Sequence, residues 1–203
     1  MSLVFYYAPM SSATPVHWAL EELGVPYEKR PLDIKAGDTK KPEFLRINPN
    51  AKVPVIVHDG TPVFESAAIQ IYLGETFGVE KGLFPAAGPK RGEAMKWIVW
   101  CNVSLGDALG RYARNTFDWV PAEQRNAKAA EVAKADLDAA LRVLDGALEG
   151  KQYLVDDRFT LADLHLVSWM EYLTMAKVDV APYKSIAPWM ARCADRPAHA
   201  RAQ

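Results

Sequence analysis

Cysteine is scarce in this chain. Its 203 residues hold two, Cys101 and Cys193, far apart and in no C-x-x-C pair. That excludes a dithiol redox centre of the chain's own and a disulfide framework, and it fits a reducing compartment. An excess of one charge is also missing: 24 basic against 25 acidic residues leave a formal net charge of -1. Nothing in that balance points to nucleic acid or to an anionic membrane surface as a partner. No apolar run is long enough to span a bilayer. Met1 to Tyr7 lack a basic leader and a small-residue cleavage site, so a cytoplasmic protein is expected. His17, His58, His165 and His199 show no spacing of the H-E-x-x-H kind, and no metal is expected.

Half of the residues are hydrophobic and about a quarter charged, an ordinary globular balance. The first third alternates element types. Leu3 to Tyr7 reads as a buried strand, and Val16, Leu20 and Leu23 share one face of a helix that Gly24 stops. Pro15 fits only the first turn of that helix, which therefore starts near Ser12 or Ala13. Tyr27 to Leu32 reads as a strand and Pro42 to Ile47 as a brief helix. Val53 to His58 and Thr61 to Phe64 form a hairpin about Asp59-Gly60, and Ile69, Leu73 and Phe77 make a helical stripe. The order βαβαββα describes a small α/β unit over residues 1–78.

Glycines and prolines between 79 and 88 read as a linker, and residues 89–203 are helical in period throughout. Ala94, Trp97, Ile98, Cys101, Leu105, Leu109 and Tyr112 share one face of a long helix. Ala133, Leu137, Leu141, Leu144 and Leu148 share a face of the next, with Pro121 suited to its first turn. Thr160 and Asp163 have the spacing of a capping box, opening a helix apolar on nearly every side, a structural role for both. A last helix is expected from Pro182 to about Asp195, with His199 near a frayed end.

Three features of the first unit carry chemistry. A trans proline opening a strand is the ordinary reading of Val53-Pro54. A cis bond would turn the Val53 amide and carbonyl outward to pair with an extended peptide-like ligand, and the surrounding pattern favours it. Glu65-Ser66 stands where a strand passes into a helix. Ser66 and free amides there suit a carboxylate and Glu65 an ammonium group, although by themselves the two residues read more readily as a cap and a dipole partner. The loop from Ala8 to Ala13 places the Ser11 and Ser12 hydroxyls at a helix N-terminus, where a thiolate would be stabilised or a helix simply capped.

A strand, a hydroxyl-bearing loop, a helix, Val53-Pro54, Glu65-Ser66, and then an all-helical region with Phe159-Thr160-Leu161-Ala162-Asp163 resembles the cytosolic glutathione transferases from Leu3 to about Pro197. The resemblance implies a thioredoxin-like N-terminal domain that binds glutathione and an all-α C-terminal bundle that binds the second substrate. Pro9 to Ala13 followed by His17-Trp18-Ala19-Leu20-Glu21-Glu22 is similar to the bacterial beta-type class. Aligned from the helix, Ser12 stands where that class has a cysteine, which sets this chain apart from mixed-disulfide chemistry. Counted from Pro9, the catalytic hydroxyl would instead be Ser11, and by analogy with tyrosine-type classes it would be Tyr7.

The same resemblance implies further roles. The Val53 backbone beside Pro54 would pair with the cysteinyl part of glutathione, and Glu65 and Ser66 would hold its γ-glutamyl head. Lys35 and Lys52 would neutralise its glycyl carboxylate. Asn102 would lie near the thiol, and Asp107 would reach the γ-glutamyl ammonium of a neighbouring subunit. Leu109-Gly110 replaces the His-Lys pair of the class. A small hydrophobic electrophile would meet Met10, Tyr112, Phe117 and Trp119 in an apolar cleft between the domains. The expectation is a homodimeric detoxifying transferase with glutathione as co-substrate. The alternatives are a glutathione-dependent isomerase, dehalogenase or peroxidase, or a binding protein without turnover.

Overall fold

The computed structural model describes residues 2–175 and 177–202. Two compact units are present: Met1–Arg91 together with Arg196–Gln203, and Gly92–Asp195.

The first unit is built on a four-stranded mixed sheet: β1 (Leu3–Tyr7), β2 (Glu28–Pro31), β3 (Val55–His58) and β4 (Thr61–Phe64), in the order β2-β1-β3-β4. β1 runs parallel to β2 and antiparallel to β3, and β3 runs antiparallel to β4. Pro31 and Pro62 both lie on edge strands, where a missing N–H costs least. Alternation along β1 separates two packed faces. Phe5 stacks on His17 of α1 (Thr14–Leu23), whereas Tyr6 meets Phe44 of the short helix α2 (Pro42–Leu45). Val16, Leu20 and Leu23 of α1 and Ile69 and Leu73 of α3 (Ser66–Leu73) are fully buried. Gly24 ends α1 in the left-handed conformation, its N–H donating to Leu20 O at 3.0 Å.

The strands and helices of this unit lie where the periodicity puts them, trimmed at their ends. β2 is shorter than Tyr27 to Leu32, and β3 begins after Pro54. In the second unit, α4 (Pro89–Trp100), a π-helical segment (Cys101–Gly106) and α5 (Asp107–Thr116) follow without a break. A side chain at Gly106 would press on the Trp169 ring, 3.0 Å from where a Cβ would stand, so only glycine permits this approach. Next come α6 (Ala127–Leu148), α7 (Leu161–Met175) and α8 (Ile186–Ala194). Pro121 does not start α6. Asn126 does, accepting a hydrogen bond from Ala129 N at 2.9 Å, while Pro121 precedes a separate 3₁₀ turn.

Thr160 and Asp163 open α7. Thr160 Oγ1 accepts from Ala162 N, and Asp163 accepts from Thr160 N at 3.0 Å, Thr160 Oγ1 at 3.1 Å, Leu154 N at 2.9 Å and Trp189 Nε1 at 3.0 Å. Burial pushes the Asp163 pKa up against these bonds, which favour the carboxylate.

The residues expected to fray are helical. A final helix, α9 (Pro197–Ala202), packs on α1. Arg196 forms a bidentate pair with Glu22 at 2.7 and 2.8 Å, and Trp18 Nε1 donates to the same carboxylate at 3.2 Å. His199 lies against the Trp18 ring with centroids 4.4 Å apart, Arg201 Nε donates to Glu21 at 3.0 Å, and His17 Nδ1 is 2.9 Å from Ala202 O. The Glu22 side chain is only 5% exposed, and Arg196 is its ion-pair partner. Arg196→Ala is expected to cost about 2–4 kcal/mol in urea unfolding, because it strands a buried carboxylate.

Candidate functional site

The loop between β1 and α1 carries two serines whose hydroxyls do different work. Ser11 Oγ donates to Ala8 O at 2.7 Å and accepts from Ala13 N at 3.2 Å, so it is built into the turn that starts α1. Ser12 Oγ leaves the loop and donates to Val53 O at 3.1 Å, across 41 residues of sequence. Val53–Pro54 is a cis peptide. The Val53 carbonyl is therefore held by Ser12 in this state. Ser12 and Val53 are brought together, and Tyr7 is not part of that contact. Its ring packs against both Phe5, at 5.2 Å, and His17, at 5.9 Å, and those two rings also meet each other at 5.9 Å.

Asn48, to which the sequence by itself assigns no role, orders the segment that leads to Val53. It is buried, donates from Nδ2 to Lys52 O at 2.8 Å and accepts from Asn50 N at 3.0 Å. The Asn-Pro-Asn turn chemistry was the available signal. Lys52 and Lys35 are exposed.

Glu65 adopts φ 70° and ψ 119°, a conformation that side-chain-bearing residues rarely hold. Ser66 is buried at the first position of α3, while Glu65 is exposed and its carbonyl accepts from Ile69 N at 2.9 Å. An acid and a hydroxyl thus stand at the positive end of an eight-residue helix. Met10, 75% exposed, likewise has a positive φ, of 52°.

The other expected residues lie in the second unit. Asn102 belongs to the π-helical segment and its Oδ1 is 2.7 Å from His165 Nε2. His165 is wholly buried, and desolvation pushes its pKa down to about 3. It is neutral, and its Nε2–H donates to Asn102. Asp107 pairs with Arg111 Nε at 2.9 Å, and Arg111 also reaches Asp136. Tyr112 lines a groove of about 410 Å³ between α5 and α6 with Ala130, Glu131, Lys134, Ala135 and Asp138. Phe117 and Trp119 meet edge to face at 6.0 Å, with Trp119 70% exposed. Cys101 and Cys193 are both buried, and desolvation raises the Cys101 pKa well above its usual range, which leaves no reactive thiolate at Cys101. Among the described residues no cluster of three or more His, Cys, Asp or Glu side chains could hold a metal ion, and no helix is long and apolar enough to cross a membrane.

Residues 1–75 match the family described as glutathione S-transferase, N-terminal domain, and residues 111–197 match glutathione S-transferase, C-terminal domain. The chain belongs to the glutathione S-transferase family. Within this family it is 31% identical to the disulfide-bond oxidoreductase YfcG of Escherichia coli strain K12, over 97% of this chain and 92% of that one. It superposes with TM-score 0.89 on a glutathione transferase from Burkholderia graminis with two glutathione molecules bound per subunit, at 28% identity, over 99% of this chain and 87% of that one. Yeast Ure2p in complex with glutathione shares the fold with TM-score 0.91 at 23% identity, over 100% and 98% of the two chains.

Two outcomes follow from these contacts. Ser11→Ala, which loses a donor and an acceptor inside the turn, is expected to destabilise the protein by roughly 1–2 kcal/mol, and Ser12→Ala by less than about 1 kcal/mol, in thermal unfolding. The neutral His165 makes stability depend on pH. Its folded pKa lies below its unfolded one, so its contribution is complete above about pH 6.5 and is lost as pH falls toward 3. At about pH 5.5 the loss from this group is on the order of 1–2 kcal/mol, and His165→Gln should remove that component of the pH dependence.

Proposed function

We propose that this protein is a glutathione transferase that binds glutathione along the Val53 edge and activates its thiol with Ser12. The observation that carries this reading is the Ser12 Oγ to Val53 O contact at 3.1 Å. It puts a hydroxyl donor within reach of the backbone group that would pair with a cysteinyl residue. The Val53 amide and carbonyl would bond the cysteinyl carbonyl and N–H of glutathione. Once the glutathione N–H occupies the Val53 carbonyl, the Ser12 hydroxyl turns about its side-chain torsion and donates to the sulfur. Glu65 takes the γ-glutamyl ammonium and Ser66 its carboxylate, while Lys35 and Lys52 face the glycyl carboxylate.

A free thiol has a pKa of about 8.5, and each unit of lowering requires about 1.4 kcal/mol of preference for the anion. A hydroxyl donor and the N-terminus of α1 can supply one to two units, as estimated from charge-assisted hydrogen bonds of roughly 1.5–3 kcal/mol. The thiolate then attacks an electrophilic carbon of a small hydrophobic substrate, a carbon–sulfur bond forms, and the leaving group departs with its electron pair. The first domain would bind glutathione and the second the electrophile. The beta-type resemblance, with serine in place of the class cysteine, further suggests a cytoplasmic homodimer.

A second reading is supported by two relatives: one is named a disulfide-bond oxidoreductase, and the other holds two glutathione molecules per subunit. The same activated thiolate could attack a disulfide sulfur, forming a mixed disulfide and releasing one substrate thiol. A second glutathione would then release the other thiol and leave as glutathione disulfide. Such chemistry would run through glutathione sulfur alone, since both protein cysteines are buried.

Calorimetric titration with glutathione, thiolate absorbance of the bound ligand, and parallel assays with an aromatic halide and with a small disulfide test these readings. Ser12→Ala is expected to raise the bound thiol pKa by about one unit and Ser11→Ala to leave it near the wild-type value. Absence of glutathione binding at millimolar concentration would overturn both readings. Turnover of the disulfide without the halide would select the second.

A further inference from the structure

Helix α3 buries two polar side chains, Ser66 at its first position and Gln70 in its interior. Gln70 is fully buried beside Ile69 and Leu73, and its Nε2 donates to Pro15 O at 2.8 Å. Its Oε1 accepts no hydrogen bond from the described residues. A buried amide whose carbonyl oxygen is unmet is a poor choice for stability alone, because that oxygen gives up its hydration with no hydrogen bond in return. Leucine would suit that surrounding better.

The position of the bond explains the choice. Gln70 lies one turn after Ser66, so the two share a face of α3. Pro15 lies three residues after Ser12, in the first turn of α1. Pro15 has no N–H of its own, and its carbonyl is the group of that turn that α3 reaches. A single 2.8 Å hydrogen bond therefore joins the helix start that bears Glu65 and Ser66 to the helix start that bears Ser12.

We propose that Gln70 is a positioning residue that holds the two helix starts in register, so that one glutathione molecule can be gripped at its γ-glutamyl head by α3 and at its sulfur by Ser12. This rests on reading the site as a glutathione site. A bound peptide gripped at two points tolerates little relative movement of the grips, and displacements of an ångström cost up to about a hundredfold in rate.

The test uses Gln70→Leu, Gln70→Glu and, as a packing control on the same helix, Ile69→Val. Gln70→Leu is expected to weaken glutathione binding roughly tenfold and to raise the bound thiol pKa, while Tm moves by no more than about 4 °C. Gln70→Glu puts a carboxyl in a dry site, where its pKa is raised. Once protonated it can donate to Pro15 O, so binding should recover as pH falls, a profile that Gln70→Leu lacks. Amide hydrogen exchange from Ser12 to Thr14, measured without ligand, should rise in Gln70→Leu and stay at the wild-type level in Ile69→Val. Wild-type affinity and thiol pKa in Gln70→Leu, or an equal loss in Ile69→Val, would overturn the positioning role. If wild-type protein binds no glutathione yet exchange still rises in Gln70→Leu, the glutathione reading falls and the helix register stands.

Discussion

A carboxylate almost wholly withdrawn from water sits on α1, and much of the first unit is arranged around its needs. An unpaired charge at Glu22 would cost several kcal/mol, more than a domain of this size can readily spare. The bidentate guanidinium of Arg196 and the indole N–H of Trp18 satisfy it. Arg196 lies beyond the entire second unit in sequence, so the last residues return to α1. Once there, α9 adds the Arg201 and His199 contacts, and Lys81 Nζ bonds Leu23 O at the far end of the helix. α1 is thus fixed along its C-terminal half by charge and at its N-terminal turn by Gln70. The Ser12 loop begins from a helix with little freedom to shift.

That rigidity matters because the groups proposed to meet the cysteinyl part of the ligand, the Val53 backbone and the Ser12 hydroxyl, are short and cannot span a gap of several ångströms. The Val53 carbonyl is aimed by Asn48 and the order it imposes on the preceding loop. Glu65 is held in a rarely occupied backbone region by the strand before it and the helix after it. Neighbouring hydroxyls of identical chemistry are separated by their partners alone: Ser11 is used up in its turn, and Ser12 reaches across to Val53. The second unit follows the same logic at Asp163, where four donors converge on one buried carboxylate.

Elements whose signal is local were legible in the chain. The alternation of Leu3 to Tyr7, the stripe of Val16, Leu20 and Leu23, the stop at Gly24 and the Thr160–Asp163 box all act within a few residues, and each element forms where those residues sit. Three features escaped for an identifiable reason. Pro121 is compatible with a helix start, but Asn126 offers a side-chain acceptor to Ala129 N, and a satisfied amide outweighs a permissive φ. The π-helical segment ends at Gly106, which lies close to Trp169, a residue 63 positions away in sequence. The helix after Arg196 is six residues long, too short to hold by propensity, and exists because α1 offers it carboxylates and an aromatic surface.

By itself, the order of residues determined the α/β unit followed by helices, the scarcity of thiols, and the cluster of Ser11, Ser12, Val53-Pro54 and Glu65-Ser66 as the place where chemistry could occur. Periodicity and turn chemistry act over one or two turns, and such information is complete in the chain. Only the tertiary structure decided that Ser12 rather than Ser11 faces Val53, that Tyr7 belongs to an aromatic stack, and that Gln70 and Arg196 hold α1 in place. Those choices depend on which polar atoms remain unpaired once distant segments pack, and pairing across 41, 55 or 174 residues leaves no local trace.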